Sequence, residues 1–315
     1  MPADLASPGP GGAPGSTGVI HDLGYRRYDG PRLGRGQIVL ALCWHSLRSA
    51  FGLGRGFKAK IVPVLLFGIM CLPAVVNAIA VALSPANIGA IPYDTYVPGV
   101  RVLIMTIFLA AQAPELVSRD LRSHVLPLYF ARPMRRSDYP VAKLAAFILA
   151  CLVMIEIPEL LLYLGTVLQA HGGSEIWTQT RGLVPGLLVG LMWSVLLAAI
   201  GLVLASLSGR RAYATGMIAI FFFLTFTLAG LLGQIATSGH PGDSSAHAPA
   251  GAHLAGLVSP FTVLDGVREW LGGTTASGII PVPGGYGPAY AAMLLIFLGA
   301  SVGGLVLRYR KVGIA

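Results

Sequence analysis

The sequence predicts an all-α polytopic membrane protein with six transmembrane helices, an N-terminal amphipathic interface helix and both termini in the cytoplasm. Three observations support this prediction. Hydrophobic residues make up 55% of the 315 positions and charged residues only 11%, which is unlike the composition of soluble domains. Six apolar runs reach the length of about 20 residues that a helix needs to cross a bilayer. The basic residues gather at alternate ends of these runs, as they do in cytoplasmic loops.

Residues 1–35 are expected to be a cytosolic leader. Its first 18 residues are rich in Pro and Gly and lack the apolar core of a signal peptide, so we expect them to be disordered. The segment that follows contains YRRYDGPRLGR and is basic. It is suited to lie near anionic headgroups or on a partner, and a solvated linker is an equal alternative.

Residues 36–58 are expected to form the interface helix and a hinge. The apolar residues that recur at helical spacing on one side are Leu40, Cys43, Trp44, Leu47 and Phe51. A helix with aromatic residues at the edge of its apolar face is typical of one that lies in the membrane surface. A helix packed on the protein itself is the alternative. The hinge is rich in Gly and Lys but lacks the GxxxxGK[ST] order, so no ATP site is expected in this chain.

The remaining residues, 59–312, are expected to form one six-helix transmembrane domain. The predicted spans are 60–83, 97–117, 141–168, 183–207, 213–236 and 286–307. With the N-terminus inside, the 22 Lys and Arg residues all lie on the cytoplasmic side except Arg101, Arg181 and Arg268. This asymmetry predicts a plasma-membrane protein with both termini in the cytosol.

Composition also argues against several function classes. The net charge of +9 does not indicate a nucleic-acid partner, because membrane topology accounts for the position of the basic residues. The three cysteines are isolated, which supports neither a disulfide framework nor a zinc site. No GxSxG or HExxH motif occurs, so we expect no catalytic residues and no enzyme.

The largest predicted outer loop is 237–285. Its histidines stand in a Gly- and Pro-rich segment, a context that predicts solvated polarity rather than a metal site. Residues 259–273 are different, because Phe261, Leu264 and Val267 alternate with charged residues at helical spacing. They predict a short helix that rests on the outer leaflet or at the mouth of the bundle.

Two carboxylates lie within the third predicted span. Glu156 and Glu159 flank Pro158 in an apolar run, where a charged side chain costs about 3 kcal/mol or more. They are therefore expected to face the bundle interior or a wet cavity. Three interpretations stay open: a polar lining of a substrate path, a structural pair between Glu159 and Arg101, and burial as neutral acids.

The connection between the second and third predicted spans is the most informative segment. Residues 115–143, ELVSRDLRSHVLPLYFARPMRRSDYPVAK, carry six of the 22 basic residues between two apolar runs. Prolines interrupt the segment, which favours a stiff connection over a slack tether. We expect it to lie against the membrane surface, where it can be contacted from the cytosol.

Taken as a whole, the sequence resembles the ABC transporter type-2 permease family, the exporter-like membrane subunits that work with a separate ATPase. The connection quoted above resembles the family's loop in its acidic start, its LYFARP turn and its Tyr-x-x-x-Lys re-entry. The amphipathic helix before the first span and six spans with both ends inside also match, and YRRYDGPRLGR is similar to the leader of one branch of the family. The resemblance covers about residues 19–312.

The resemblance implies a membrane permease subunit of an ATP-driven exporter. Two permeases, here expected as a homodimer in the lipid bilayer, would sit on two ATPase subunits. The cofactors ATP and Mg would belong to that partner. Residues 119–140 would be the cytosolic coupling loop, and residues 237–285 would cap the exit. The implied polar contacts to the ATPase are Arg119, Asp120 and Arg122, and the implied apolar anchors are Leu126, Leu128 and Tyr129.

An ion-coupled secondary transporter or channel that uses Glu156 and Glu159 is the alternative. Together with Arg101, these residues are the candidates for the translocation path under either hypothesis. Against the alternative, the six runs show neither an inverted repeat nor paired broken helices.

Overall fold

The computed structural model describes a chain that is built from helices. The described residues are 30, 34–83, 98–123, 125–131, 134–170, 172–238, 249–272 and 284–311, and within them no strand occurs. The helices are α1 (Arg35–Ala50), α2 (Phe57–Leu83), α3 (Pro98–Leu116), α4 (Ser118–Arg122), α5 (Leu126–Phe130), α6 (Asp138–Val167), α7 (Gly173–Ser206), α8 (Arg211–Thr237), α9 (Ala250–Ala255), α10 (Pro260–Gly272) and α11 (Gly287–Lys311). Most of the predicted leader, 1–35, and much of the predicted outer loop, 237–285, lie outside the described residues.

Six of these helices are long and apolar enough to cross a membrane. They are Phe57–Ala80, Arg101–Arg122, Asp138–Val167, Gly173–Ser206, Arg211–Thr237 and Gly287–Arg310. The prediction of an all-α membrane protein with six spanning helices is therefore confirmed. The boundary that differs most is the start of α7, which begins at Gly173 instead of 183. Its first turns are polar, so hydropathy marks where the apolar part begins and not where the helix begins.

The core of the bundle lies around α3. This helix is buried along most of its spanning window, whereas only a small part of the windows of α8 and α11 is buried. Phe108 of α3 is fully buried, and its ring centroid lies 6.1 Å from those of Phe51 and of Phe147 in α6. The exposed apolar faces of α8 and α11 are suited to contact with lipid chains, which are as apolar as the side chains themselves.

Helix α1 packs against α3 and α6 with a face that overlaps the predicted one in part, since Cys43, Leu47 and Phe51 pack against the core. Leu42, Ser46 and Ala50 are buried, and the small side chains of Ser46 and Ala50 allow close approach. Leu40 and Trp44, both placed by the sequence on the apolar face, are instead 68% and 61% exposed. The helix thus carries two apolar surfaces, one against the bundle and one that faces outward.

Helix α10 occupies the segment predicted as a short helix on the outer leaflet or at the mouth of the bundle, and it packs against α7, α8 and α11. Arg268 and Glu269, expected on its wet face, are both buried and lie 3.4 Å apart, from Nη2 to Oε1. Each charge therefore has a neighbour of opposite sign in the sequence, which makes their burial possible. Gly266 lies directly against the ring of Tyr290 in α11.

The glycine at position 201 lets α3 and α6 approach α7. A Cβ atom at Gly201 would lie 3.3 Å from Phe147 Cε1 and 3.4 Å from Leu109 Cδ2. We expect Gly201→Val to destabilise the bundle by about 1 to 3 kcal/mol, because its methyl groups overpack this contact. Thermal unfolding of the detergent-solubilised protein measures the effect.

The matched control is Gly68→Val in α2, where an added Cβ meets no atom within 4 Å. An equal loss of melting temperature in both variants would show that the contact at Gly201 is not what matters.

Candidate functional site

The connection between α3 and α6, residues 117–137, is called the connector below. It contains the short helices α4 and α5. It lies at one end of the bundle, where Ser118 Oγ donates a hydrogen bond to Ala205 O near the end of α7 at 2.8 Å. Arg308 of α11 donates to Ser206 O at the same end. We call this the basic end, because arginines from several helices meet there.

Glu115, at the end of α3, is the centre of the basic end. Its carboxylate accepts Arg119 Nη1 at 3.0 Å and Arg211 Nη1 at 3.1 Å, and it also pairs with Arg55. Glu115 itself is only 8% exposed. One buried carboxylate therefore joins the hinge before α2, the connector and the first residue of α8, and the arginines leave a net positive charge.

Asp120 attaches the connector to α6. Its Oδ2 accepts Lys143 Nζ at 2.9 Å and the Tyr139 hydroxyl at 2.8 Å. Tyr139 is fully buried, with its ring centroid 5.6 Å from Tyr129 of the connector and 5.1 Å from Tyr309 of α11. These three rings connect α5 to the first turn of α6 and the last turns of α11.

The start of α6 is held by Asp138. Arg35 donates from Nε and Nη2 to its two oxygens, at 2.7 Å and 2.5 Å, and the Arg135 backbone N–H donates at 2.8 Å. The hydrogen bond to Asp138 raises the pKa of Arg35 above its ordinary value. A paired, two-point contact of this kind fixes the first residue of α1 on the first residue of α6, directly after the connector.

A groove opens between α1 and the connector. Its volume is about 450 Å³, and we call it the connector groove. It brings together four of the six residues for which the family resemblance implies ATPase contact: Arg119, Asp120, Leu128 and Tyr129. Leu128 is 70% exposed, so its side chain is available to a partner.

The other two predicted contact residues lie elsewhere. Leu126 is buried in the core, because it points inward from the short helix α5. It supports the connector from beneath, and the contact of Leu126 with an ATPase stays a prediction that this burial does not favour. Arg122 is exposed but lines a second groove, beside the start of α8.

A second polar site lies inside the bundle. Arg101 Nη2 is 3.0 Å from Glu159 Oε1, and both side chains are buried. The Arg101 guanidinium also lies 5.8 Å from the ring centroid of Trp193 in α7. Of the three interpretations of Glu159, this geometry favours the structural pair, since the arginine compensates the carboxylate and the Trp193 ring face stabilises the arginine.

Glu156 is in a different position. Both of its carboxyl oxygens are buried without a hydrogen-bond partner among the described residues, and the carboxyl packs directly on Gly190 of α7. An ionised carboxylate in such a place costs about 3 kcal/mol or more. For Glu156 the other two interpretations therefore stay open: burial as a neutral acid, or a polar lining of a substrate path.

Asp265 of α10 extends this site. Burial raises its pKa to about 6, against the opposing effect of Arg268 and Arg101. It is thus a third acid near Arg101. No group of three or more His, Cys, Asp or Glu side chains with metal-binding geometry occurs in the described part of the chain.

Sequence reasoning missed the role of Glu115. Among its partners only Arg119 is visible from spacing, as an i, i+4 pair. Arg55 and Arg211 come from distant segments. The one available signal is that all three arginines stand at the same end of predicted spans, which does not specify a common partner.

Comparisons with protein-family models and with curated proteins found no match to this chain.

The Arg101–Glu159 pair predicts a non-additive stability effect. Arg101→Met leaves the Glu159 carboxylate buried without its arginine and should cost about 3 to 5 kcal/mol. Arg101→Met combined with Glu159→Met should cost less than the sum of the single variants, since neither charge remains. Thermal unfolding in detergent gives the three values, and Arg181→Met, at an exposed arginine, is the control. Simple addition of the two single effects would contradict the pairing.

The raised pKa of Asp265 predicts a pH dependence of stability. The folded pKa of about 6 lies above the ordinary value of 3.8, so the folded state holds a proton that the unfolded state releases. Stability should therefore rise as the pH falls from 7 through 6, with the gain complete below the unfolded pKa. Asp265→Asn should flatten this rise, whereas Glu175→Gln, at an exposed acid, should not. Identical pH profiles of the melting temperature for Asp265→Asn and wild type would refute the assignment.

Proposed function

We propose that this chain is the membrane permease subunit of an ATP-driven ABC exporter and that the connector couples it to a separate ATPase. The observation that carries the proposal is the geometry of the connector. It is short, it is attached to the bundle through Glu115, Asp120 and Asp138, and it presents the exposed side chain of Leu128 beside the connector groove.

These attachments would allow the connector to act as a lever on the spanning helices. A push on α5 reaches α6 and α11 through the rings of Tyr129, Tyr139 and Tyr309. A push on α4 reaches α8 through Arg119, Glu115 and Arg211. A motor protein docked on the connector would therefore displace several spanning helices together, which is the type of rigid movement that switches a transport path.

The chemistry of the connector groove supports a protein partner. Charged side chains of both signs line it, Arg119 with Glu115 and Lys143 with Asp120, and Leu128 and Tyr129 provide apolar surface. The outward face of α1, with Leu40 and Trp44, adds a second apolar contact area on the helix that borders the connector groove. Exposed aromatic and apolar anchors beside charged groups are typical of docking surfaces. In this proposal ATP and Mg bind to the partner.

The distribution of charge supports the orientation. Arg55, Arg119, Arg211 and Arg308 all lie at the basic end, which we therefore place in the cytosol together with both termini. The exposed faces of α8 and α11 leave room for a second copy of the chain in the plane of the plasma membrane.

An ion-coupled transporter is the second candidate function, and one observation favours it. The buried carboxyl of Glu156 without a hydrogen-bond partner among the described residues is the kind of group that carries protons in membrane transporters. Under this hypothesis Glu156→Gln abolishes coupling and no ATPase is required.

The coupling proposal predicts that Leu128→Ala weakens the partner complex and leaves the bundle folded. Leu128 is exposed, so its loss removes an anchor without opening a cavity in the core. We expect roughly tenfold weaker retention of an ATPase that carries Walker motifs in pull-downs from host membranes, together with loss of substrate-stimulated ATP hydrolysis. Leu207→Ala is the matched control, since Leu207 is exposed at the end of α7.

Two results would contradict the proposal. One is that Leu128→Ala behaves like Leu207→Ala in both measurements. The other is full transport by the purified chain alone in liposomes, without nucleotide, which would favour the ion-coupled alternative if Glu156→Gln stops it.

A further inference from the structure

A second groove lies at the basic end, between the end of α3, α4 and the start of α8. Its volume is about 1380 Å³, and we call it the basic groove. The residues that line it are Ala111, Leu121, Arg122, Gly209, Arg210, Arg211, Ala212, Tyr213, Thr215 and Gly216. It is separate from the connector groove, with which it shares no lining residue.

The charge of the basic groove is positive. Three arginines line it, Arg122, Arg210 and Arg211, and no acidic residue belongs to its lining. Arg211 pairs with Glu115, but that carboxylate is also held by Arg55 and Arg119, so a net positive charge remains. The first turn of α8 begins at the same place and adds a weaker positive potential. The groove is thus suited to a phosphate group.

The walls of the basic groove continue along the spanning helices. Ala111 lies in the last turns of α3 and Gly216 in the second turn of α8, and both are small. A Cβ atom at Gly216 would meet no atom within 4 Å, so the wall is open there. Tyr213 is 65% exposed, and the Arg210 guanidinium lies 5.8 Å from its ring centroid. Aromatic and basic residues together at the end of a span mark the headgroup level of a bilayer.

We propose that the basic groove binds an anionic phospholipid of the adjacent leaflet. Arg122 and Arg210 contact the phosphate, and one acyl chain lies against Ala111 and Gly216 between α3 and α8. Charge selects an anionic headgroup, and the apolar extension of the groove selects a lipid over a soluble phosphate. Lipid binding in the basic groove does not require an ATPase, so this proposal and the proposed function can be refuted independently.

The test uses native mass spectrometry of the full chain in detergent, titrated with phosphatidylglycerol and with phosphatidylcholine of identical acyl chains. Wild type should retain phosphatidylglycerol preferentially. Arg122→Gln combined with Arg210→Gln should weaken that binding about tenfold or more, since each arginine near a phosphate contributes about fivefold. Gly216→Leu, which fills the open wall and leaves every charge in place, should weaken the binding of both lipids.

The matched control is Arg48→Gln combined with Arg310→Gln, which removes the same charge from exposed positions outside the groove and should retain wild-type binding. Equal loss in the control would show non-specific attraction and overturn the proposal. Wild-type binding in Gly216→Leu, or equal affinity for phosphatidylcholine, would also overturn it. Displacement of the lipid by soluble glycerol phosphate at equal concentration would exclude a lipid as the ligand.

Discussion

The ionic cluster around Glu115 is the interaction on which the basic end depends. The hinge before α2 and the start of α8, both distant in the sequence, meet the end of α3 and the connector at one buried carboxylate. Arginines repel one another, so without this carboxylate they would separate and the connector would lose its attachment to α8. A buried ion pair adds little net stability but specifies which segments meet. Here it specifies the position of the connector.

The two polar sites, the basic end and the group of acids inside the bundle, carry excess charge of opposite sign. At the basic end, arginines outnumber the acids that they surround, which leaves positive charge for phosphate groups or a protein partner. Inside the bundle, Glu156, Glu159 and Asp265 gather near Arg101, with Arg268 also close to Asp265, and acids are in excess. Excess acid in an apolar setting can be accommodated only by protons or by distance. An external partner can act on the first site, whereas the second responds to protonation.

Parts of the structure were predictable where a residue pattern is a direct physical requirement of that part. Apolar runs predicted the six spans, because contact with lipid requires them, but the polar first turns of α7 gave no such signal. The Arg101–Glu159 pair was foreseeable as one alternative, since each charge lies where it needs a partner. The sequence predicts α10 on the outer leaflet or at the mouth of the bundle because charged residues alternate with its apolar ones, and it gives no signal that Arg268 and Glu269 are buried as neighbours of opposite charge. The exposed Leu128 and the buried Leu126 are two residues apart, and only the fold distinguishes them.

The contacts among the rings of Tyr129, Tyr139 and Tyr309 have a consequence for biogenesis. Tyr309 is near the end of the last span, so it leaves the ribosome and enters the bilayer after everything else that supports the connector. A chain that has inserted only its first five spans lacks this support and the contact from Arg308 to the end of α7. The docking surface is therefore completed only when the final helix, α11, has inserted. A chain that is still being synthesised presents a connector without this support.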